Sequence, residues 1–186
     1  VVRPIRAMLG PHHLNEVFLD DVPASADQVL GEVGAGWAVI RTALAHERVG
    51  IARYARCERL LSALAAELDP ASLSPTLRLA RARALVQVRV ARLLAYRAVH
   101  AQAGGEVADG LASAARIAVT RADQDVAELL MSMLEGAGLD AGPDAVLHGA
   151  VEDHWRYAQA ATVASGTIEI QRVIVARELL GRGTQA

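Results

Sequence analysis

Apolar residues return at three- and four-residue intervals from about residue 36 onward, and before that point they do not. The first stretch carries two short β-prone runs, Val1-Val-Arg-Pro-Ile5 and Glu16-Val-Phe-Leu19, separated by Gly10-Pro11. Asp20-Asp-Val-Pro23 ends the second run. Two strands alone are marginal, so residues 1–34 are expected to need sheet partners from the bundle or from outside this chain.

The helical part divides at its breakers. One long helix is predicted from about Trp37 to Leu68, stopping before Asp69-Pro70 because proline disfavours helix in the residue ahead of it. Ser74-Pro75 supplies a cap and first turn for a second helix, closed by Gly104-Gly105. A third is expected over about 107–134, a shorter fourth over about 144–160, and a fifth from the Thr167 cap to near Gly181. The expected fold class is therefore all-α, an up-and-down bundle of about five helices with a short N-terminal β remnant.

Composition narrows the function classes. The 186 residues are 53% hydrophobic but only 3% aromatic, with alanine dominant, which suits helices packed closely through small side chains. A net charge of -2 gives no electrostatic case for nucleic acid or an anionic membrane. No apolar run reaches membrane-spanning length. The single cysteine, Cys57, excludes an internal disulfide, and a cytoplasmic protein is the simplest expectation. Residue 1 is valine and the chain starts as if mid-strand, so it reads as a fragment, a processed product or one half of a split enzyme.

The predicted first helix carries the sharpest chemical candidate. Ile40, Leu44, Glu47, Ile51 and Tyr54 share one face, which sets a carboxylate inside an apolar stripe. A buried, unpaired carboxylate has a raised pKa and suits proton abstraction near neutral pH. The same pattern also accommodates a glutamate paired with an arginine of a neighbouring helix.

Near the C-terminus the chain reads Ala164-Ser-Gly-Thr-Ile-Glu-Ile-Gln-Arg172 and continues through Val173 to Gly181. With Leu44-Ala-His-Glu-Arg48 on the earlier helix, and Trp155-Arg156 running ungapped to Gly166-Thr167, this resembles the C-terminal half of the acyl-CoA dehydrogenases. Glu16 to Pro23, Val29-Leu-Gly-Glu32 and Gly34-Ala-Gly-Trp37 resemble the exit from that family's middle β-domain. The resemblance implies domains at 1–34 and 35–186, the first being the tail of the β-domain and the second the helical domain. It also implies FAD as cofactor and an acyl-CoA substrate, with α,β-dehydrogenation as the reaction.

Many members place the catalytic glutamate directly before the Gly-Thr pair, where this chain has Ser165. A subset keeps the base on the earlier helix instead, so the resemblance assigns Glu47 as base and Arg48 as its orienting partner. Gly166, Thr167 and Glu169 match positions that touch FAD. Two other elements depart from the family. Glu67 to Pro75 lacks an Arg-x-x-Phe-Gly segment, and Ser132-Met-Leu-Glu-Gly136 stands where Gln-x-x-Gly-Gly is usual. A glutamate at 135 repels a nearby diphosphate. These departures resemble divergent actinobacterial members acting on bulky, sterol-derived thioesters in homo- or hetero-oligomers. They also fit a structural subunit with little chemistry of its own.

Other candidates are weaker. His12-His13 lacks further ligands for a metal, and His148 and His154, six apart, fall on different sides of one helix. No Gly-x-Ser-x-Gly elbow surrounds Ser165.

Overall fold

The structure, a computed structural model, describes residues 1–10, 13–47, 51–69, 71–106 and 109–181, without the side chains of 45, 46, 51 and 52. It falls into two compact units, residues 1–47 and 48–186.

In the first unit, strands β1 (Val2–Ile5) and β2 (Leu14–Val17) pair antiparallel with Val2 opposite Val17 and Ile5 opposite Leu14. The β2 register begins two residues before the apolar run that announced it. Arg3 lies over the Phe18 ring at 4.7 Å. Every residue of both strands is exposed within this chain. Helix α1 (Gly36–Glu47) completes the unit.

The second unit is the all-α bundle that the periodicity predicts. Its helices are α2 (Ile51–Glu67), α3 (Pro75–Ala103), α4 (Asp109–Leu134), α5 (Ala150–Ala160) and α6 (Ile168–Leu179). The single helix expected over 37–68 therefore corresponds to α1 and α2, with residues 48–50 outside the described set. The fourth predicted helix starts later than expected. Residues 146–149 form a 3-10 turn in which Leu147 and His148 have φ of 50° and 55°, so the regular helix begins at Ala150.

Helix α4 is the hub, touching α2, α3, α5 and α6. Its closest neighbour is α3, and composition explains why. Ala84, Val88, Ala91, Ala95 and Ala98 form a buried stripe at three- and four-residue spacing on α3, matched by Ala112, Ala115, Val119, Ala122 and Val126 on α4. Small side chains let two backbones approach closely and keep dispersion contacts dense. The ends follow local rules. Ser74 accepts the Leu77 amide at 3.2 Å with Pro75 in the first turn, and Gly104 closes α3.

Candidate functional site

The turn between α5 and α6 carries the most ordered polar geometry. Helix α5 ends at Ala160, and Thr167 caps α6 by accepting the Ile170 amide at 3.3 Å. Between them Ser165 and Gly166 take consecutive left-handed conformations, with φ of 56° and 88°. Gly166 suits that region, whereas Ser165 bears a steric cost of about 1–2 kcal/mol there. Side chains from the bundle grip this turn by its carbonyls. Arg116 Nη2 donates to the Ala161 carbonyl at 3.2 Å and to the Ala164 carbonyl at 2.5 Å. Thr120 Oγ1 donates to Ala161 at 3.5 Å. Gln171 Nε2 donates to the carbonyls of Ser165 and Gly166 at 3.2 and 3.4 Å.

Thr167 is half-buried and Glu169 exposed, so both stand at the open start of α6, with Gly166 beside them. The sequence thus brings its three expected cofactor contacts to one place. It gave no warning of Arg116, which is buried on α4 with Ser113, Thr120 and Asp123.

At the far end of α4, Ser132 Oγ donates back to the Glu128 carbonyl at 2.8 Å, along its own helix. Glu135 follows with φ of 49°, the left-handed region where glycine is favoured. The family resemblance places glycine there, and the glutamate adopts the same backbone.

Glu47 ends α1 and is exposed, as are Ile40 and Leu44 on the same face. The apolar cover expected around Glu47 does not come from residues 1–47. Periodicity aligned Glu47 with apolar neighbours but could not supply a surface to cover them. Tyr54, assigned to the same stripe, is buried in the second unit instead. Arg48 and His12 lie outside the described residues.

A second polar cluster is one the sequence reading missed. Cys57 of α2, Asp123 of α4 and His154 of α5 meet in the core with no exposure. The Cys57 thiol lies 3.5 Å from Asp123 Oδ1, and His154 Nε2 lies 3.6 Å from the same oxygen. Arg53 Nη1 reaches Asp123 Oδ2 at 3.3 Å. Arg53 and Arg56 both lie over the Tyr157 ring, at 5.0 and 5.2 Å, and Arg56 pairs with Asp153 at 2.5 Å. Burial dominates the titration here. It raises the Asp123 carboxyl above its ordinary value against the pull of Arg53, and it raises the Cys57 thiol strongly. It lowers His154 to about 4, with Arg56 adding to the effect.

Cysteine, aspartate and histidine within 4.8 Å of one another have the donor types of a zinc site. The Cys57 thiol donates to Asp123, however, and that carboxylate's other oxygen is already paired with Arg53. The arrangement fits a buried polar knot joining three helices. Helical periodicity turns Cys57, Asp123 and His154 inward but does not say that they meet.

The second unit is an all-α bundle whose last helix opens on a glycine-threonine cap. The chain belongs to the acyl-CoA dehydrogenase family: the model of that family's C-terminal domain matches residues 34–180. It is 35% identical over 188 residues to acyl-CoA dehydrogenase FadE34 of Mycobacterium tuberculosis, covering 97% of this chain and 24% of that protein. Among solved structures, the Tcur3481-Tcur3483 steroid ACAD is 30% identical with a TM-score of 0.87, over 97% of this chain and 48% of the other. The ChsE4-ChsE5 complex from Mycobacterium tuberculosis is 29% identical with a TM-score of 0.80, over 97% and 49%. The chain thus spans about half the length of its solved relatives, and a quarter of FadE34. No helix among the described residues is long and apolar enough to cross a membrane.

Proposed function

We propose that this chain serves in an FAD-dependent dehydrogenase of bulky, sterol-derived acyl-CoA thioesters, assembled as a homo- or hetero-oligomer with another acyl-CoA dehydrogenase-like chain. Residues 1–34 are its middle β-domain tail and residues 35–186 its helical domain. The two solved relatives, a steroid ACAD and the ChsE4-ChsE5 complex, support the steroid substrate class and the mixed assembly.

The observation that carries the reading is the turn at 164–167. It keeps the cap and the left-handed glycine while placing Ser165 where many members hold their base. Gly166, Thr167 and Glu169 fit a cofactor laid against the start of α6, because the open helix N-terminus leaves positive potential there. When bound, FAD supplies acceptance of the hydride leaving the β-carbon. The protein's part is the α-proton, which Glu47 takes as general base, while Arg48 orients that carboxylate or the thioester.

One observation favours the alternative of a structural subunit with weak or no activity. Glu135, anionic and left-handed at the end of α4, replaces an element that the family uses on a neighbouring subunit's cofactor. The two readings separate on Glu47→Gln in the full-length protein with any co-purifying chain. Single-turnover flavin reduction by acyl-CoA should slow by a factor of roughly 10²–10⁴. Reduction at the wild-type rate removes Glu47 as the base. A flavin-free wild-type assembly supports the structural reading.

A further inference from the structure

We propose that Arg116 and Gln171 are positioning residues that turn the peptide amides of Gly166 and Thr167 toward the flavin. The inference rests on the reading that this turn lies against FAD.

Both side chains are almost fully buried, at 3% and 1% exposure, and Arg116 Nη2 and Gln171 Nε2 each donate to two of the turn's carbonyls. A trans peptide holds its C=O and N–H antiparallel in one plane. When Gln171 draws in the Ser165 carbonyl, the Gly166 amide in that plane must face the other way. When it draws in the Gly166 carbonyl, the Thr167 amide does the same. Neither amide makes a hydrogen bond among the described residues. The two unspent donors sit beside the N-terminus of α6, where the helix dipole is positive and an oxygen acceptor is favoured.

Arg116 fixes the other side of the turn. Its guanidinium sits at the C-terminal end of α5, where a cation is favoured, and bridges the carbonyls of Ala161 and Ala164. Arginine suits this because the two hydrogens of Nη2 are fixed in the guanidinium plane, one for each carbonyl. The glycine at 166 belongs to the same device. A Cβ there would stand 2.8 Å from Gln171 Nε2, so a larger residue would push the clasp out of place. Ser165, left-handed without being glycine, keeps its conformation because its carbonyl is held.

The test uses the full-length protein with any partner chain and compares Gln171→Met, Arg116→Met and Arg116→Lys with wild type. Folding is followed by circular dichroism, FAD affinity by flavin fluorescence and the flavin environment by its visible spectrum. Folded Gln171→Met should bind FAD at least tenfold more weakly, with a shifted visible band. Arg116→Lys should recover part of what Arg116→Met loses. If Arg116→Met and Gln171→Met lower the melting temperature but leave FAD affinity within twofold and the spectrum unchanged, the residues are structural and the inference falls. Should Gln171→Met fail to fold, the Arg116→Lys affinity decides, since a wild-type value overturns the positioning role. A folded wild-type assembly that takes up no FAD overturns the parent reading, and this inference with it.

Discussion

Glu178, one residue from the end of α6, accepts the backbone amide of Gly110 at the start of α4 with an Oε2 to N distance of 2.6 Å. A carboxylate at a helix N-terminus satisfies an otherwise orphaned N–H and meets the positive end of the dipole. Gly110 has no side chain, and an added Cβ would fall on the Glu178 carboxylate. The last helix is therefore tied at its C-terminal end to α4 as well as at its capped start. Because Gly110 is buried, Glu178→Ala leaves a buried donor unmatched, and it should cost about 1–3 kcal/mol. Glu178→Gln keeps an acceptor and should cost less. Urea unfolding midpoints check both, and equal losses would show that charge, not the hydrogen bond, matters.

Glu135 gives a prediction of the opposite sign. Its φ of 49° is accessible to glycine without a steric penalty, and the residue is exposed. Glu135→Gly should therefore stabilise the bundle, by about 0.5–1 kcal/mol after the greater freedom of glycine in the unfolded chain is set against the relief. Guanidinium unfolding measures it. A loss of stability would show that the end of α4 does not hold the left-handed turn. The same variant removes the carboxylate, so FAD affinity in the full assembly should not fall.

The contrast between these two residues shows what was legible in the sequence. The ends of α3 and α6 were read correctly because capping is local: Ser74, Pro75, Gly104 and Thr167 each act on amides within a few residues. The alanine-rich composition likewise foretold close helix packing. The Gly110–Glu178 tie, the Arg116 clasp and the Cys57–Asp123–His154 knot were not legible, since each joins residues 31–68 positions apart. Periodicity says that Asp123 faces inward but not what meets it there. Glu47 shows the same limit, because periodicity sets it in an apolar stripe without naming the surface that would cover it.

The α3–α4 seam tests the packing account directly. Ala91 is fully buried on α3, while Val90, its neighbour in sequence, is 48% exposed. Ala91→Leu inserts three heavy atoms where the backbones run close, and it should cost about 1–3 kcal/mol or more. Val90→Leu should change stability by no more than about 0.5 kcal/mol. Thermal unfolding of the two variants side by side checks the difference, and equal effects would mean that the seam has space to spare.

His154 makes stability depend on pH in a definite direction. Burial lowers its pKa from 6.5 to about 4 in the folded chain. The unfolded chain therefore binds a proton first as the pH falls, so the stabilisation is complete above 6.5 and is lost progressively toward 4. The shift corresponds to roughly 3 kcal/mol, at about 1.4 kcal/mol per pH unit. Asp123 works the other way, because its raised pKa means that the fold keeps a proton the unfolded chain releases, and stability falls as pH rises through that range. Its contribution has to be separated from that of His154. His154→Phe removes the imidazole and leaves Asp123 and Arg53 in place, so the difference between wild type and variant isolates the histidine. Unfolding free energies at pH 7.0, 5.5 and 4.5 should converge as the pH drops, with the wild type losing more than the variant. Parallel curves would mean that the imidazole is already reached by solvent and that the knot is not dry.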